Sequence, residues 1–370
     1  MVARAAGPAR CGVLHTRRGA VETPVFMPVG TAGAVKTLHP DEVRALGYSL
    51  VLGNTYHLML RPGAELVAAL GGLHRFMGWD GAILTDSGGY QVFSLQKIRR
   101  IHEDGVEFRS HIDGGAHFLS PERAVEIQRL LGADIMMALD ECPPHDADAA
   151  YHAASCQRTT RWATRCLSAR GQHGGALFGI VQGGLDLPLR RAHLDELAAM
   201  PFDGLALGGL SVGEGPERMA EVVADVAPRM PPERPRYLMG VGEPRDILMA
   251  VSAGIDMFDC VLPTRNARNG SLFTRRGRIQ IRNSVHARAD RPIEEGCACP
   301  ACRRFSRAYL RHLYLSNEIL GHRLNTLHNL HFFAEFMRDV RRAIREDRLA
   351  AFAAEFLSEF EPPVSDRREA

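Results

Sequence analysis

The chain has 370 residues, 45% hydrophobic and 24% charged, with a formal net charge of +2. That length supports one large core and a smaller attached unit, and the near-balanced charge excludes nucleic-acid binding through bulk positive charge, leaving only local basic patches. No apolar run reaches the roughly 18 residues of a membrane span, and MVARAAGPARCGVLHTRRGAVE lacks the apolar centre of a secretory signal, so a cytoplasmic protein is expected, its eight cysteines thiols or metal ligands rather than disulfides.

Residues 11–29 alternate around the turn Thr16–Gly19, which predicts a small antiparallel lead-in over residues 1–30. From about residue 34, short β-rich runs alternate with longer helical patterns, the signature of repeated βα units around a parallel sheet. The predicted strands are 34–37, 49–53, 82–85, 134–139, 176–181, 204–208, 236–240 and 254–260. Eight such units favour an α/β fold of the (β/α)8 TIM-barrel type over residues 31–270. No Gly-x-Gly-x-x-Gly opens a helix after a strand, so a dinucleotide site is not expected. Residues 92–120 are too long for an ordinary βα loop, and Val106–His111 and Ala116–Leu119 flank Asp113-Gly114-Gly115 as a predicted hairpin. Ser120-Pro121 reads as an N-cap and first helical residue. Arg158, Arg161 and Arg165 fall at helical spacing and read as a solvated face.

The chemistry lies where the strands end. Strand three ends in Thr85-Asp86-Ser87-Gly88-Gly89-Tyr90-Gln91, strand four in Leu139-Asp140-Glu141-Cys142, and strand five in Val181-Gln182-Gly183-Gly184. Strand six ends in Leu207-Gly208-Gly209-Leu210, strand seven in Met239-Gly240-Val241-Gly242, and strand eight in Asp259. Barrel enzymes place their active sites at this end. Two carboxylates flanking one centre suit displacement at a sugar carbon, and bare glycine backbone lets a flat ring approach its donors and acceptors. In AGIDMFDCVLPTRNARNG, Asp256 and Asp259 interrupt an apolar run, so each requires a partner, exposure or a function. The arginines that follow, Arg265 and Arg268, suit an anionic substrate.

After residue 270 the rhythm breaks. Arg275, Arg276, Arg278 and Arg282 interleave with Leu272, Phe273, Ile279 and Ile281 as an amphipathic basic hairpin. Cys297, Cys299 and Cys302 follow in Cys-x-Cys-x-x-Cys spacing, with His328 downstream on a predicted helix over Arg323–Val340. Three thiolates and one imidazole complete a closed zinc site, with His322 and His331 as alternative fourth ligands on spacing alone. Residues 271–345 are therefore a predicted zinc-binding subdomain, and 346–370 a final helix with a frayed tail from Pro362.

TDSGGYQVFSL, MMALDECPP, GIVQGG, LALGGLSVGEG, YLMGVGEP, DMFDCVLPTRNARNG and the CACPAC knuckle together resemble the bacterial tRNA-guanine transglycosylases over about residues 10–360. The resemblance implies exchange of guanine at the tRNA wobble position for the queuosine precursor preQ1, 7-aminomethyl-7-deazaguanine, through a covalent enzyme–tRNA intermediate. It implies Asp259 as nucleophile and Asp86 as general acid and base. It places Asp86, Ser87, Gly88, Gly89, Cys142, Leu210, Met239 and Gly240 around the base, with Asp140, Gln182 and Gly209 reading it and Tyr90 stacking on it. It gives the anticodon loop to Gly240, Val241, Gly242, Glu243, Pro244, Arg245 and Asp246, and to Thr264, Arg265, Asn266, Ala267 and Arg268. It implies one structural zinc per subunit on Cys297, Cys299, Cys302 and His328, a homodimer, and the Asp, Asn, His and Tyr tRNAs as partners, with no membrane. Cys142 and Val212 stand where queuine-using relatives differ, which favours preQ1 over queuine. Two rivals are a non-catalytic tRNA-binding subunit on the same barrel, expected to lose the acidic pair, and a metal-dependent barrel hydrolase, expected to carry a histidine cluster at its strand ends.

Overall fold

A computed structural model of the protein describes residues 3–4, 7–95, 99–171 and 174–360. Eight short apolar runs form a closed parallel barrel: β1 Val25–Gly30, β2 Leu50–Gly53, β3 Ala82–Thr85, β4 Ile135–Met137, β5 Ala176–Val181, β6 Gly204–Leu207, β7 Arg236–Leu238 and β8 Met257–Cys260. Every residue of β1, β2, β3 and β6 is buried, as expected of parallel strands covered on both faces. β8 closes the ring against β1, setting Met257 beside Val25 and Asp259 beside Met27.

Two expectations need correction. The antiparallel lead-in is Arg10–Thr16 paired with Gly19–Thr23, and it stops before residue 30. Val25–Gly30 is instead the first barrel strand, and residues 34–37 form none, with Thr37 at φ 73. VFMPVG is apolar at every ordered position, the mark of two-sided burial, whereas a solvent-facing hairpin strand alternates. Following the hairpin directly, it read as a continuation of that antiparallel lead-in.

Alternate residues fill the barrel. Val25, Met27, Leu52, Leu84, Met137, Ile180, Tyr237 and Met257 share the interior cluster, while Phe26, Val51, Ile83, Leu205 and Phe258 pack among the surrounding helices. The lead-in hairpin closes the N-terminal end: its Val21 joins the interior cluster. Its buried Arg10 donates Nε to Asp256 Oδ1 at 2.9 Å and Nη2 to Oδ2 at 2.5 Å. Asp256 is thus one half of a structural ion pair.

The insertion after β3 is a three-stranded sheet rather than the two-stranded hairpin expected, because Arg99–Ile101 adds a strand to Val106–Arg109 and Ala116–Leu119. Ser120 caps the next helix through the Arg123 N–H, as predicted. The arginines of helix Ala149–Arg170 lie on a partly solvated face, Arg161 exposed and Arg158 and Arg165 half-buried, and each makes an ion pair. Arg161 pairs with Glu103, Arg165 with Glu122 at 2.7 Å, and Arg158 with buried Glu141, so they tie the insertion to the barrel rim.

Beyond β8, helix Leu262–Arg268 leads into the hairpin Ser271–Thr274/Gly277–Gln280. The 27-residue helix Ile319–Arg345 then crosses behind both. Its buried Asn329 donates to the carbonyls of Pro263 and Ser271 and accepts from the Phe273 N–H. Helix Leu349–Phe360 packs Phe356 on Phe336 and Phe332. The expected frayed tail, Pro362–Ala370, lies outside the described residues. Among those described, no helix is long and apolar enough to cross a membrane.

Candidate active site and metal centre

The alternation that fills the barrel also aims its chemistry. Leu84 and Asp86, Ile180 and Gln182, and Met257 and Asp259 are two residues apart, and the first of each pair points inward. The second of each therefore projects over the barrel mouth.

Asp86 is buried and well supplied with donors. The Thr55 N–H reaches Oδ1 at 2.8 Å, Gln91 Nε2 reaches Oδ2 at 2.9 Å, and Asn54 Nδ2 also donates to Oδ2. Burial nonetheless pushes this carboxyl up to about 6, with the nearby Asp259 charge adding and the donors opposing. Asp259 accepts the Tyr237 hydroxyl at 2.5 Å and the Gly240 N–H at 2.9 Å, both on Oδ1. Among the described residues no donor occupies its Oδ2. Burial raises its pKa as well, against those two donors. The two carboxyls thus have different surroundings: Asp86 sits in a cage of donors, while Asp259 is gripped by one oxygen and offers the other.

A third buried carboxyl, Asp140, accepts Gln182 Nε2 at 2.6 Å, and burial pushes it up to about 6. Gln182 Oε1 is buried without a partner. The Gln182 N–H donates to His193 Nδ1 at 2.9 Å, and burial pulls that imidazole down to about 4, so it stays neutral and accepting. Glycine is required next door. A Cβ on Gly209, at φ +63, would stand 2.4 Å from Gln182 Oε1. Cys142 is a half-buried neutral thiol, pushed up to about 12 by burial and by Asp140.

Ser87 Oγ lies 3.5 Å from Asp140 Oδ1 and receives the Gly89 N–H; Gly88 takes φ +81. Leu210 is buried, Met239 half-buried and Gly240 exposed at the rim. Tyr90 is 50% exposed at the mouth, where partial burial raises its phenol above the usual value and the Arg265 charge opposes the rise. Val212 and Ser211 donate their N–H groups to the Glu214 carboxylate.

Val241, Gly242 and Pro244 are buried under the rim, with Arg245 exposed on helix Pro244–Ser252. Glu243 pairs with Arg278 of the hairpin at 3.0 Å. Thr264 and Ala267 are buried, Asn266 is half-buried and Arg265 is exposed. Asn266, Asn269, Ser271, Arg278, Gln280 and Arg282 line a polar groove beside this helix. The Glu243–Arg278 pair joins the rim segment to the hairpin that lines this groove.

The four expected metal ligands meet. Nδ1 of His328 lies 3.8, 3.5 and 3.4 Å from Sγ of Cys297, Cys299 and Cys302, close to the roughly 3.6 Å expected between sulfur and nitrogen ligands of tetrahedral zinc. His328 Nε2 donates to the Phe273 carbonyl at 2.7 Å, leaving Nδ1 as the free lone pair. Cys299 Sγ also receives the Cys302 N–H. His322 turns toward Asn317, and His331, 3.8 Å from Glu335, stands beside Cys297 but outside the four-ligand group. The cluster can hold a metal ion.

The family model described as queuine tRNA-ribosyltransferase matches residues 5–362. The chain belongs to the queuine tRNA-ribosyltransferase family. Similar members include proteins of that name from Solidesulfovibrio magneticus, 59% identical with 94% of each chain covered, and Desulforamulus reducens, 56% identical with 95% of each covered. A third, from Syntrophobacter fumaroxidans, is 59% identical over 91% of this chain and 90% of its own. As a family member the protein is a pentosyltransferase.

Sequence reasoning passed over several residues that build this site. Asn54 and Tyr237 position the two acids, and His193 and Arg190 hold the strand-five end. Tyr237 had a signal: two residues before Met239, it shares the inward parity of its strand. Arg190 and His193 had none, since a helical i, i+3 polar pair ordinarily faces water.

Proposed function

We propose that this family member exchanges the wobble guanine of its tRNA for preQ1 by double displacement. The observation that carries this reading is the pair of carboxyls with unequal surroundings, Asp86 and Asp259, at one barrel mouth. Oδ2 of Asp259 attacks the ribose C1′ as the bond from C1′ to guanine N9 breaks. The bond's electron pair leaves with the purine, which takes a proton from Asp86. The incoming base then gives its N9 proton to Asp86, attacks C1′ and expels Asp259. Two inversions give net retention. An acid tuned to about 6 by burial suits both directions of proton transfer near neutral pH.

The base lies against Asp140, Gln182 and Gly209, with Tyr90 over its face. To enter, it must leave its stack, at a cost of a few kcal/mol. Arg265 and the groove around Arg278 and Arg282 meet phosphates and offset that cost. The tRNAs are those for Asp, Asn, His and Tyr. The metal of the Cys297, Cys299, Cys302 and His328 site is zinc, and its role is structural, because four protein ligands leave no open position. Val285, Leu315, Ile319 and Leu320 are 69, 56, 78 and 41% exposed on the metal-bearing unit, which suits a second copy of the chain, giving a homodimer. A cytoplasmic setting fits the free cysteines.

Val212 and Cys142 are half-buried; a valine on the loop that follows Gly209 fills space that a larger substituent needs, and overpacking there costs about 1–3 kcal/mol. The cyclopentenediol of queuine is therefore refused while the aminomethyl of preQ1 is accepted. The test loads wobble-guanine tRNA with radiolabelled guanine and chases it with each base. PreQ1 should release the label and queuine should not; efficient release by queuine overturns the substrate assignment. Sedimentation showing a fully active monomer at assay concentration overturns the dimer.

A further inference from the structure

The least expected group behind the mouth is Arg190. Its side chain is fully buried, and among the described residues no carboxylate pairs with it. Its guanidinium instead donates to three backbone carbonyls: Nε to Gly184 at 2.6 Å, Nη1 to Val181 at 3.2 Å and Nη2 to Gly208 at 2.9 Å. Burial lowers it only to about 10, so it remains a cation at neutral pH. The chain is shaped around it. A Cβ on Gly183 would stand 2.8 Å from Arg190 Cγ, and one on Gly184 would meet the His152 ring. A buried charge without a counter-ion is costly. No neutral side chain carries three N–H donors, so the clamp requires the cation, but the clamp does not account for its place behind the site.

The third carbonyl explains it. Gly208 C=O and Gly209 N–H belong to one peptide unit. A cation bonded to the oxygen polarises that unit and strengthens its N–H as a donor. The Gly209 N–H is hydrogen-bonded to the Cys142 sulfur, a weak acceptor that a bound carbonyl oxygen can displace, on the wall shared with the Gln182 amide. We propose that Arg190 is a positioning residue whose buried cation, relayed through the Gly208–Gly209 peptide, strengthens the Gly209 N–H bond to the carbonyl oxygen O6 of the purine. As the C1′–N9 bond breaks, its electron pair delocalises over the purine and part of the charge reaches O6. A donor polarised from behind binds that oxygen more tightly in the transition state than in the bound nucleotide. The inference rests on the reading that the base lies against Asp140, Gln182 and Gly209.

The experiment measures dissociation constants for guanine and 6-thioguanine, by competition against radiolabelled guanine incorporation. 6-Thioguanine keeps the N1–H and 2-amino group but replaces O6 with a weakly accepting sulfur. Asp140→Asn serves as the control for the site itself. If it weakens neither base, the placement of the base is wrong, and the inference falls with it. With that control satisfied, Arg190→Gln should lose about threefold in guanine affinity, the size of a partial weakening of one hydrogen bond. 6-Thioguanine should change less than about 1.5-fold. Arg190→Lys keeps a charge but cannot span three carbonyls, and should lose about twofold in the same guanine-selective way. A variant that weakens both bases equally, or neither, overturns the inference. Loss of fold in both variants, judged by circular dichroism, also overturns it and leaves Arg190 a structural clamp.

Discussion

Replacing Asp259 with asparagine separates chemistry from structure. Oδ1 of Asp259 carries both bonds that hold the side chain, from the Tyr237 hydroxyl at 2.5 Å and the Gly240 N–H at 2.9 Å. An asparagine carbonyl oxygen can accept both, so the side chain should keep its place. What changes is Oδ2, which becomes an amide nitrogen with no lone pair to attack C1′. Loss of a catalytic nucleophile costs about 10^4- to 10^6-fold in rate, or roughly 5–8 kcal/mol of barrier. Stability should move the other way. Burial raises the folded-state pKa of Asp259 above its ordinary value, so any stability linked to its protonation is lost as pH rises through the folded value. At neutral pH the wild type thus carries a penalty for the ionised form that asparagine escapes. The expected outcome is a melting temperature equal to or above wild type, with no activity. The assay is a denaturing gel of enzyme, tRNA and a base that stalls the intermediate. A heat-stable shifted band should form with wild type and vanish with Asp259→Asn. A band of wild-type intensity in the variant refutes the assignment and makes Asp86 the next candidate nucleophile. A vanished band accompanied by a falling melting temperature refutes the claim that the two functions separate.

Asp86→Asn should still bind tRNA but form the covalent band slowly. In wild type the rate of band formation should fall as pH rises through about 6, where the acid loses its proton, and that limb should be missing from the variant's pH profile. Cys302→Ala should lose stoichiometric metal by elemental analysis and unfold the unit around helix Ile319–Arg345, seen as a new low-temperature melting transition; full metal content in the variant counts against the ligand set. Asp256→Ala leaves buried Arg10 unpaired and should lower stability by about 3–5 kcal/mol in urea unfolding, and a loss below about 1 kcal/mol would show that water reaches the pair.

Much of the barrel was legible because parallel strands buried on both faces read as short apolar runs, and seven of the eight lie where the sequence placed them. The first was read as the end of the antiparallel lead-in, because it follows that hairpin directly, although it is buried throughout. The metal ligands were legible as a spacing, but the choice among His322, His328 and His331 required the Phe273 carbonyl, which comes from a hairpin far away in the chain. The acids were visible at strand ends, whereas their tuning was not. Asn54 belongs to a different βα unit from Asp86, and Arg190 reaches the Gly208–Gly209 wall of the mouth from behind, through backbone carbonyls that leave no trace in residue types.

The pairing of β8 with β1 also bears on how the protein is made. Asp259 takes its place beside Met27 only when the last barrel strand returns to the first. Contacts so distant along the chain are paid for late, after nearer ones have formed. On the proposed mechanism, a chain that lacks β8 lacks the nucleophile and so cannot open the bond between sugar and base. The ring's final seam then acts as a safety catch on a reaction whose half-finished product is a transfer RNA without its base.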